Sequence, residues 1–276
     1  MAPVLVNGQR DDSLSVHDRG LHYGDGVFET IAVSNGQALC WEQHIRRLTL
    51  GCETLGIHCP SAALLKEEAD RLCLHSHKRV VKIIISRGPG GRGYRPPHPC
   101  EPTRIIALYD WPDYPSRYWT DGITAAVCQI RLGHNPLLAG IKHLNRLEQV
   151  LLRNELALQD SPEGIVLDIT DHVIEGTMSN IFWVKDNVLY TPDLGQCGIA
   201  GIIRAMILEI AADLPLQTHV DTLTLEHIYD ATEVFFCNSI IGLWPVIQIE
   251  RKRFQPGECT DRLRQRLLSN GAIIAS

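Results

Sequence analysis

A run of apolar residues long enough to cross a membrane is missing from this 276-residue sequence. Membrane helices need about 20 such residues, and one of the longest stretches here, Val80 to Ile85, already contains Lys82. The first charged residue, Arg10, comes too early for a signal peptide, which needs a longer apolar segment before it. We therefore expect no membrane role and a cytoplasmic location.

Paired cysteines and metal-binding spacings are missing as well. The nine cysteines form no C-x-x-C pair, and the twelve histidines show no H-E-x-x-H spacing, which argues against a zinc site or a disulfide framework. A G-x-S-x-G nucleophile turn is not present. The formal net charge of -6 and the lack of a long basic block argue against binding to nucleic acid. We therefore expect neither a metal nor a nucleic-acid partner.

What the sequence does contain is a mixture of strand-like and helix-like segments in both halves. Apolar and β-branched runs predict strands, and apolar residues spaced by three or four predict helices. The predicted strands are 4–7, 13–16, 27–33, 80–86, 103–109, 123–130, 164–168, 173–175, 181–184, 188–191 and 234–237, and the predicted helices are 41–55, 61–74, 145–158, 202–212 and 260–268. This mixture, without internal repeats, predicts two α+β domains.

The boundary between the domains is predicted in a proline-containing segment with little periodicity. Residues 111–117 carry two prolines and separate two strand patterns, which is typical of a linker. We therefore predict an N-terminal α+β domain at 1–112, a linker at 113–121 and a C-terminal α+β domain at 122–276.

One of the six lysines stands in an unusual setting. The residues before Lys142 are apolar or small back to Pro136, whereas most other lysines stand beside charged residues. Partial desolvation lowers the pKa of a lysine and frees its amine for imine formation. The alternative is a lysine that extends from an apolar strand end into water, and the local pattern alone favours this alternative.

Several further residues could hold a phosphorylated cofactor. Glu175 ends an apolar strand beside a glycine, and Gly198 to Arg204 resembles a glycine-led helix start, whose N–H groups favour a phosphate. Ser239 could add a hydroxyl donor, and the guanidinium of Arg47 could bind phosphate oxygens. An exposed acid, an ordinary loop and solvated side chains explain the same residues when each is taken alone.

The segment Gly88 to Gly93 contains G-x-G-x-x-G, a pattern found in nucleotide-binding loops. A P-loop also needs Gly-Lys-Ser/Thr after the glycines, and this chain has Arg92-Gly93-Tyr94 there. We therefore favour a flexible loop that carries Arg87 and Arg92 towards an anionic substrate. A nucleotide-binding module built on this loop stays open as an alternative from another functional class.

Taken in order, these segments resemble the fold-type IV enzymes that use pyridoxal 5'-phosphate (PLP), which include branched-chain aminotransferases, D-amino-acid aminotransferases and aminodeoxychorismate lyases. The shared segments are 24–30, 44–48, 131–149, 175–182, 198–204, 237–239 and 245–246. The lysine segment 131–149 and the segment 86–94 look most like those of the bacterial lyases. The Thr-Gly-Thr phosphate motif of the aminotransferases is replaced here by Cys237-Asn238-Ser239, which also favours the lyase.

The resemblance implies a fold and a set of residue roles. The fold would be two α+β domains of the D-amino-acid aminotransferase type, with PLP bound by the C-terminal domain. Lys142 would be the catalytic lysine that carries PLP, and Glu175 would pair with the pyridine nitrogen. The implied phosphate ligands are Arg47, Ser239 and the backbone at Ile202 and Ile203. The family is commonly homodimeric, so we expect a homodimer.

The resemblance also implies a reaction. A lyase of this kind converts 4-amino-4-deoxychorismate into 4-aminobenzoate and pyruvate, a step of folate biosynthesis. Lys142 would move the protons, and Arg92 and Arg95 are the candidates for binding the two substrate carboxylates. A D-amino-acid or branched-chain aminotransferase on the same scaffold is the first alternative, and a protein that binds PLP without turnover is another.

Overall fold

The computed structural model describes residues 3–74 and 76–275, which form two compact units. The first unit runs to Pro112 and includes Ile141–Asn145, and the second comprises Asp113–Gly140 and the residues from Arg146 onwards. The short segment 141–145 belongs to the first unit because its backbone pairs with a strand of that unit. The N–H of Phe28 donates to the carbonyl of Lys142 at 2.9 Å.

The first unit is built on an antiparallel sheet. Its strands are β1 (Val4–Val6), β2 (Gly26–Ser34), β3 (Gln37–Ala38), β4 (Lys78–Ser86) and β5 (Thr103–Asp110), and they lie in the order β1-β5-β4-β2-β3. The helices of this unit are α1 (Arg19–Tyr23), α2 (Trp41–Leu55) and α3 (Ala62–Cys73).

Helices α2 and α3 cover one face of this sheet. Leu48 of α2 and Leu65 of α3 are buried in one core with Ile83 of β4. Because side chains alternate between the two faces of a strand, Phe28 of β2 and Lys82 of β4 lie on the other face. Both are only partly buried. We call this second surface the outer face.

The second unit contains a larger mixed sheet. Its strands are β6 (Ile123–Leu132), β7 (Glu163–Asp168), β8 (Val173–Gly176), β9 (Asn180–Lys185), β10 (Val188–Pro192), β11 (Gln217–Asp221), β12 (Glu233–Asn238), β13 (Gly242–Ile249) and β14 (Lys252–Arg253). Their order is β11-β10-β9-β12-β13-β6-β7-β8, with β14 paired to β13. The helices are α4 (Arg117–Thr120), α5 (Leu147–Leu158), α6 (Ile202–Asp213), α7 (Leu225–Tyr229) and α8 (Glu258–Ser269).

The predicted linker is packed into the second unit. Trp119, within 113–121, is buried, and its indole N–H donates to the carbonyl of Ile241 at 2.6 Å. Its ring meets that of Trp244 edge to face, with centroids 5.7 Å apart. Aromatic burial thus overrides the proline content that suggested a linker. The segment 141–145, which was assigned to the C-terminal domain, packs in the first unit, and the rest of the predicted domain division stays a prediction.

All five predicted helices and ten of the eleven predicted strands are found within a few residues of their expected bounds. The elements that were not predicted are α1, β3, α4, β11, α7, β13 and β14. The strand predicted at 13–16 is wrong, because the chain there leads instead into α1, whose first turn is capped by Asp18 accepting from the N–H of Gly20 at 2.8 Å. Strand β13 was not predicted, because Pro245 interrupts its pattern. Proline is normally excluded from central strands, yet Pro245 pairs with Phe235 of β12.

The described residues contain neither a membrane-spanning helix nor a metal-binding group of side chains. No helix among residues 3–74 and 76–275 is both long and apolar enough to span a bilayer. The His, Cys, Asp and Glu side chains of the same residues form no group of three that could hold a metal ion. All nine cysteines are free thiols.

We expect Leu48→Ala to destabilise the protein, because Leu48 is only 1% exposed in the core beneath α2. Removing a buried leucine side chain costs about 2–5 kcal/mol. Leu50→Ala on the same helix is the matched control, since Leu50 is 58% exposed and its loss should change stability by about 0.5 kcal/mol or less. Urea unfolding measures both, and equal midpoints would contradict the packing of α2 on the sheet.

Candidate functional site

Lys142 is held against the start of β2 in the first unit. Besides the backbone bond to Phe28, the N–H of Leu144 donates to the carbonyl of Gly26 at 2.9 Å. The ammonium of Lys142 lies 4.4 Å from the centre of the Phe28 ring, a distance at which the aromatic face attracts a cation. The residue is partly buried, so its amine lies beside the sheet and not far out in water.

Arg47 is part of a buried ionic cluster. Glu29 of β2 is fully buried and accepts from Nε of Arg47 at 2.7 Å and from Nη2 of Arg47 at 2.5 Å. Nδ1 of His44, one turn earlier on α2, donates to the same carboxylate at 2.6 Å. Two parallel bonds from one guanidinium to one carboxylate fix the plane of the guanidinium. Arg47 is therefore held in one orientation and is not solvated freely.

Burial and the arginine together set the charges of this cluster. Burial alone would raise the pKa of Glu29, but the charge of Arg47 and the bonds from His44 and Arg47 lower it to about 2. Burial lowers the pKa of His44 more than Glu29 raises it, and the charges of Arg47 and Lys142 lower it further. The carboxylate is therefore ionised and the imidazole neutral near pH 7. Lys142 lies near enough to this cluster to act on it electrostatically.

Glu175 is the penultimate residue of β8, and its carboxylate is buried. It is 4% exposed, and its Oε2 accepts from the N–H of Ile199 at 2.9 Å. Burial lowers the pKa of Arg146, and the charge of Glu175 raises it, so a guanidinium lies within electrostatic reach of this carboxylate. The alternative in which Glu175 is an exposed strand-end acid is therefore wrong.

The start of α6 requires glycine at position 201. A Cβ on Gly201 would lie 2.0 Å from Oδ1 of Asn180, whose Nδ2 donates to the carbonyl of Ile199 at 2.9 Å. Gly201 provides no side-chain cap for the helix. The N–H groups of a helix's first turn need outside acceptors, and an anion can serve as one. Ile202 and Ile203, the first two residues of α6, are therefore placed as phosphate donors would be.

Ser239 lies in the turn between β12 and β13, and it is partly buried. The neighbouring Asn238 accepts two backbone N–H groups of this turn, both at 2.8 Å, which fixes its shape. Burial raises the pKa of Cys237, and the charge of Arg204 on α6 opposes this rise. The end of β12 therefore lies near the first turn of α6, with Ser239 in the adjoining turn.

Arg87 does not reach towards a substrate, and that expectation is wrong. Its side chain is buried, and its guanidinium donates to the carboxylate of Asp25 and to the carbonyls of Leu55 and Gly56. A guanidinium whose N–H groups donate to three acceptors of the protein itself holds the fold together and is not directed at a substrate. Arg87 ties the end of α2 to the start of β2.

Arg92 and Arg95 are both exposed, the first within the glycine-rich loop 88–93 and the second two residues after it. The loop is anchored by Arg19, which is buried and donates to the carbonyls of Gly93 and Tyr94 at 2.9 Å each. The loop is therefore held at its C-terminal end, whereas we had expected a flexible one. No helix begins in residues 94–102, so the loop has no helix N-terminus to place a phosphate, unlike a P-loop.

Glu29 was not among the predicted site residues, although the sequence carries a signal for its burial. Positions 27, 29, 31 and 33 share one face of β2, and Val27, Ile31 and Val33 are apolar. A lone acid on an otherwise apolar face must be buried with partners. Arg19 and Asp25 gave no comparable signal, because their further partners, Arg87 for Asp25 and the carbonyls of Gly93 and Tyr94 for Arg19, are distant in the chain.

The chain resembles known proteins over nearly its whole length. The family described as amino-transferase class IV matches residues 26–249. An aminodeoxychorismate lyase of Vibrio harveyi is 38% identical over 95% of this chain and 98% of its own. A protein named a putative branched-chain-amino-acid aminotransferase of Methanocaldococcus jannaschii is 31% identical over 95% of this chain and 94% of its own. The crystal structure of 4-amino-4-deoxychorismate lyase from Pseudomonas aeruginosa matches with a TM-score of 0.93 and 42% identity, covering 97% of this chain and 98% of that one.

We expect Glu29→Gln to destabilise the protein by about 3–5 kcal/mol at neutral pH, because it leaves the guanidinium of Arg47 without its ionised partner. The pKa of Glu29 falls on folding from 4.5 to about 2, so its contribution is full above pH 4.5 and is lost as the pH drops towards 2. The difference between wild type and variant should therefore shrink over that window. Urea unfolding at several pH values measures it, with the exposed Glu53→Gln as control. A difference that stays constant with pH would contradict the ion pair.

Proposed function

The chain belongs to the amino-transferase class IV family, and from this premise we propose that it is a PLP-dependent lyase of folate biosynthesis. It would convert 4-amino-4-deoxychorismate into 4-aminobenzoate and pyruvate. The observation that carries the proposal is the likeness to two proteins named as this lyase, at 38% and 42% identity over nearly the full length of both chains. The aminotransferase relative is less similar, at 31% identity.

The residues present fit PLP. Its aldehyde needs an amine, its pyridine nitrogen needs an acid, and its phosphate needs N–H and guanidinium donors. The first unit offers the amine of Lys142 at the Phe28 ring and a guanidinium of Arg47 that Glu29 orders, and the second offers the buried carboxylate of Glu175 beside Ile199. Glycine at position 201 leaves the first N–H groups of α6 uncovered by any side chain at that position.

We therefore assign the cofactor roles as follows. Lys142 carries PLP, and Glu175 holds the proton on the pyridine nitrogen. The proposed phosphate ligands are Arg47, Ser239 and the backbone N–H groups of Ile202 and Ile203. Because the carboxylate of Glu29 orients Arg47 and is itself buried, the phosphate would meet a guanidinium whose position is already fixed.

Bound PLP supplies an electron sink for the carbon that carries the substrate's nitrogen. The Nζ atom of Lys142 takes the proton from that carbon, and the bond between the ring and the enolpyruvyl oxygen then breaks. The ring becomes aromatic, and the departing enolpyruvate takes up a proton to give pyruvate. Lys142 is the acid and base for these transfers, and the carboxylate of Glu175 keeps the pyridine nitrogen protonated.

An aminotransferase on the same scaffold is the second candidate. The relative named as a putative branched-chain-amino-acid aminotransferase supports it. The segment Cys237-Asn238-Ser239 in place of the aminotransferase motif favours the lyase. An aminotransferase would need an amino acid and a keto acid, whereas the lyase needs one substrate only. Arg92 and Arg95 stay our candidates for binding carboxylates of that substrate.

The protein is also proposed to be a cytoplasmic homodimer. Helix α5 exposes a run of apolar side chains, Leu147, Val150, Leu151 and Leu158, with exposed fractions between 52% and 91%. Apolar side chains clustered on a surface mark protein interfaces, which supports a second copy of the chain as the partner. The nine free thiols support a reducing compartment such as the cytoplasm.

We expect borohydride to bleach the visible absorption of the purified yellow protein and to fix PLP on Lys142, where peptide mass spectrometry detects it. Lys142→Ala should lower the rate of 4-aminobenzoate release by about 10²–10⁴-fold, the usual contribution of an acid–base group. Lys185→Ala, which removes a surface lysine paired with Asp230, is the control. A label on another lysine would contradict the assignment of Lys142, and a colourless protein that PLP cannot reconstitute would contradict the proposed cofactor.

A further inference from the structure

The outer face of the first unit's sheet carries a second lysine close to Lys142. In the pairing of β2 with β4, Thr30 lies opposite Lys82 and Phe28 lies opposite Ile84. The Nζ atom of Lys82 is 5.0 Å from the centre of the Phe28 ring, and the Nζ atom of Lys142 is 4.4 Å from the same point. Two ammonium groups from distant parts of the chain therefore adjoin one aromatic ring.

Lys82 has no carboxylate partner in the part of the chain that the structure describes. Other lysines do: Lys66 pairs with Asp70, and Lys185 pairs with Asp230. Burial lowers the pKa of Lys82, so its ammonium has lost part of its water and has gained only the face of Phe28 in return. A partly desolvated cation without an anion is costly. A ligand with an anionic group would offset that cost.

A small pocket adjoins Lys82 on the side away from Phe28. A pocket of about 190 Å³ opens on the side of β5, and its walls include Ile84, Ile105 and Ala107. Asp12 also lines this pocket, but it is exposed and forms no ion pair with Lys82 within residues 3–74 and 76–275. The apolar walls of this pocket offer Lys82 no anionic partner, so a ligand's anionic group would have to meet its ammonium on the side of Phe28.

We propose that Lys82 binds the ring carboxylate of the substrate and thereby determines specificity, which leaves the enolpyruvyl carboxylate to Arg92 or Arg95. This inference rests on the proposed function. In 4-amino-4-deoxychorismate the amine and the ring carboxylate stand at opposite ends of a six-membered ring. The amine must reach the position of Lys142. The Phe28 ring adjoins both lysines, so the substrate ring can lie along Phe28 with its carboxylate on Lys82.

This arrangement separates the proposed substrate from those of an aminotransferase. An α-amino acid carries its carboxylate on the same carbon as its amine, so that carboxylate would lie next to Lys142 and not at the far end of a ring, where Lys82 would meet the carboxylate of the proposed substrate. Lys82 therefore favours a substrate whose carboxylate is one ring away from its reacting amine. Its effect should be confined to ligands of that shape.

The first part of the test compares Lys82→Met with the wild-type holoenzyme. Methionine keeps an apolar stem and removes the charge, so KM for 4-amino-4-deoxychorismate should rise about 10- to 100-fold, as expected for a lost charge-assisted hydrogen bond. The kcat should change much less, the visible absorption of the bound cofactor should stay the same, and Lys82→Arg should recover part of the loss. Lys78→Met is the matched control, because Lys78 lies on the same strand with its Nζ atom 4.8 Å from the Trp111 ring.

The second part measures the binding of 4-aminobenzoate and of aniline by calorimetry. Wild type should prefer 4-aminobenzoate, and Lys82→Met should bind both alike. A variant that keeps the wild-type KM and the wild-type preference would overturn the role of Lys82 while leaving the lyase reaction intact. If wild type releases no 4-aminobenzoate from its substrate, the proposed function fails, and the binding comparison still decides. If Lys82→Met loses the preference for 4-aminobenzoate over aniline, the carboxylate site is supported. If the variant keeps this preference, or if wild type does not show it, the carboxylate site is overturned.

Discussion

The backbone pairing of β2 with residues 141–145 is the interaction on which the proposed active site depends. It brings Lys142, more than a hundred positions along the chain, against Phe28. The pairing of the same strand with β4 places Lys82 against the same ring. On the opposite face of β2, Glu29 fixes Arg47. One strand thereby positions an amine, an aromatic surface, a second cation and a proposed phosphate ligand.

The cost of this arrangement is a set of buried charges. Glu29 is fully buried with His44 and Arg47 around it, and Asp25 is bound by two arginines, Arg19 and Arg87. A buried ion pair contributes little net stability compared with apolar residues of the same size, but it holds its members in fixed positions. A guanidinium that we propose as a phosphate ligand, and a loop that must stay in place, both require such fixation. The buried charges are thus explained better by the site than by the stability of the fold.

Helices and strands whose pattern lies within one short segment of the chain could be predicted from the sequence. Helix α2 has the predicted bounds, 41–55, because its apolar spacing decides which face packs. The register between β2 and β4 depends on pairing between separate segments, so the closeness of Lys82 to Phe28 could not be read from spacing. The packing of Trp119 and the strand through Pro245 were missed because tertiary burial outweighed local preference. The position of Lys142 stood out through the order of motifs along the chain, since its local setting alone favoured an ordinary lysine.

We propose that the enzyme splits a single substrate and transfers no amino group. The most direct test incubates the purified holoenzyme with 4-amino-4-deoxychorismate alone and quantifies both products. We expect the enzyme to release 4-aminobenzoate and pyruvate in equal amounts over many turnovers, with no amino or keto acid added. Turnover that stops after one equivalent, or that proceeds only when an amino acid and a keto acid are both supplied, would contradict it.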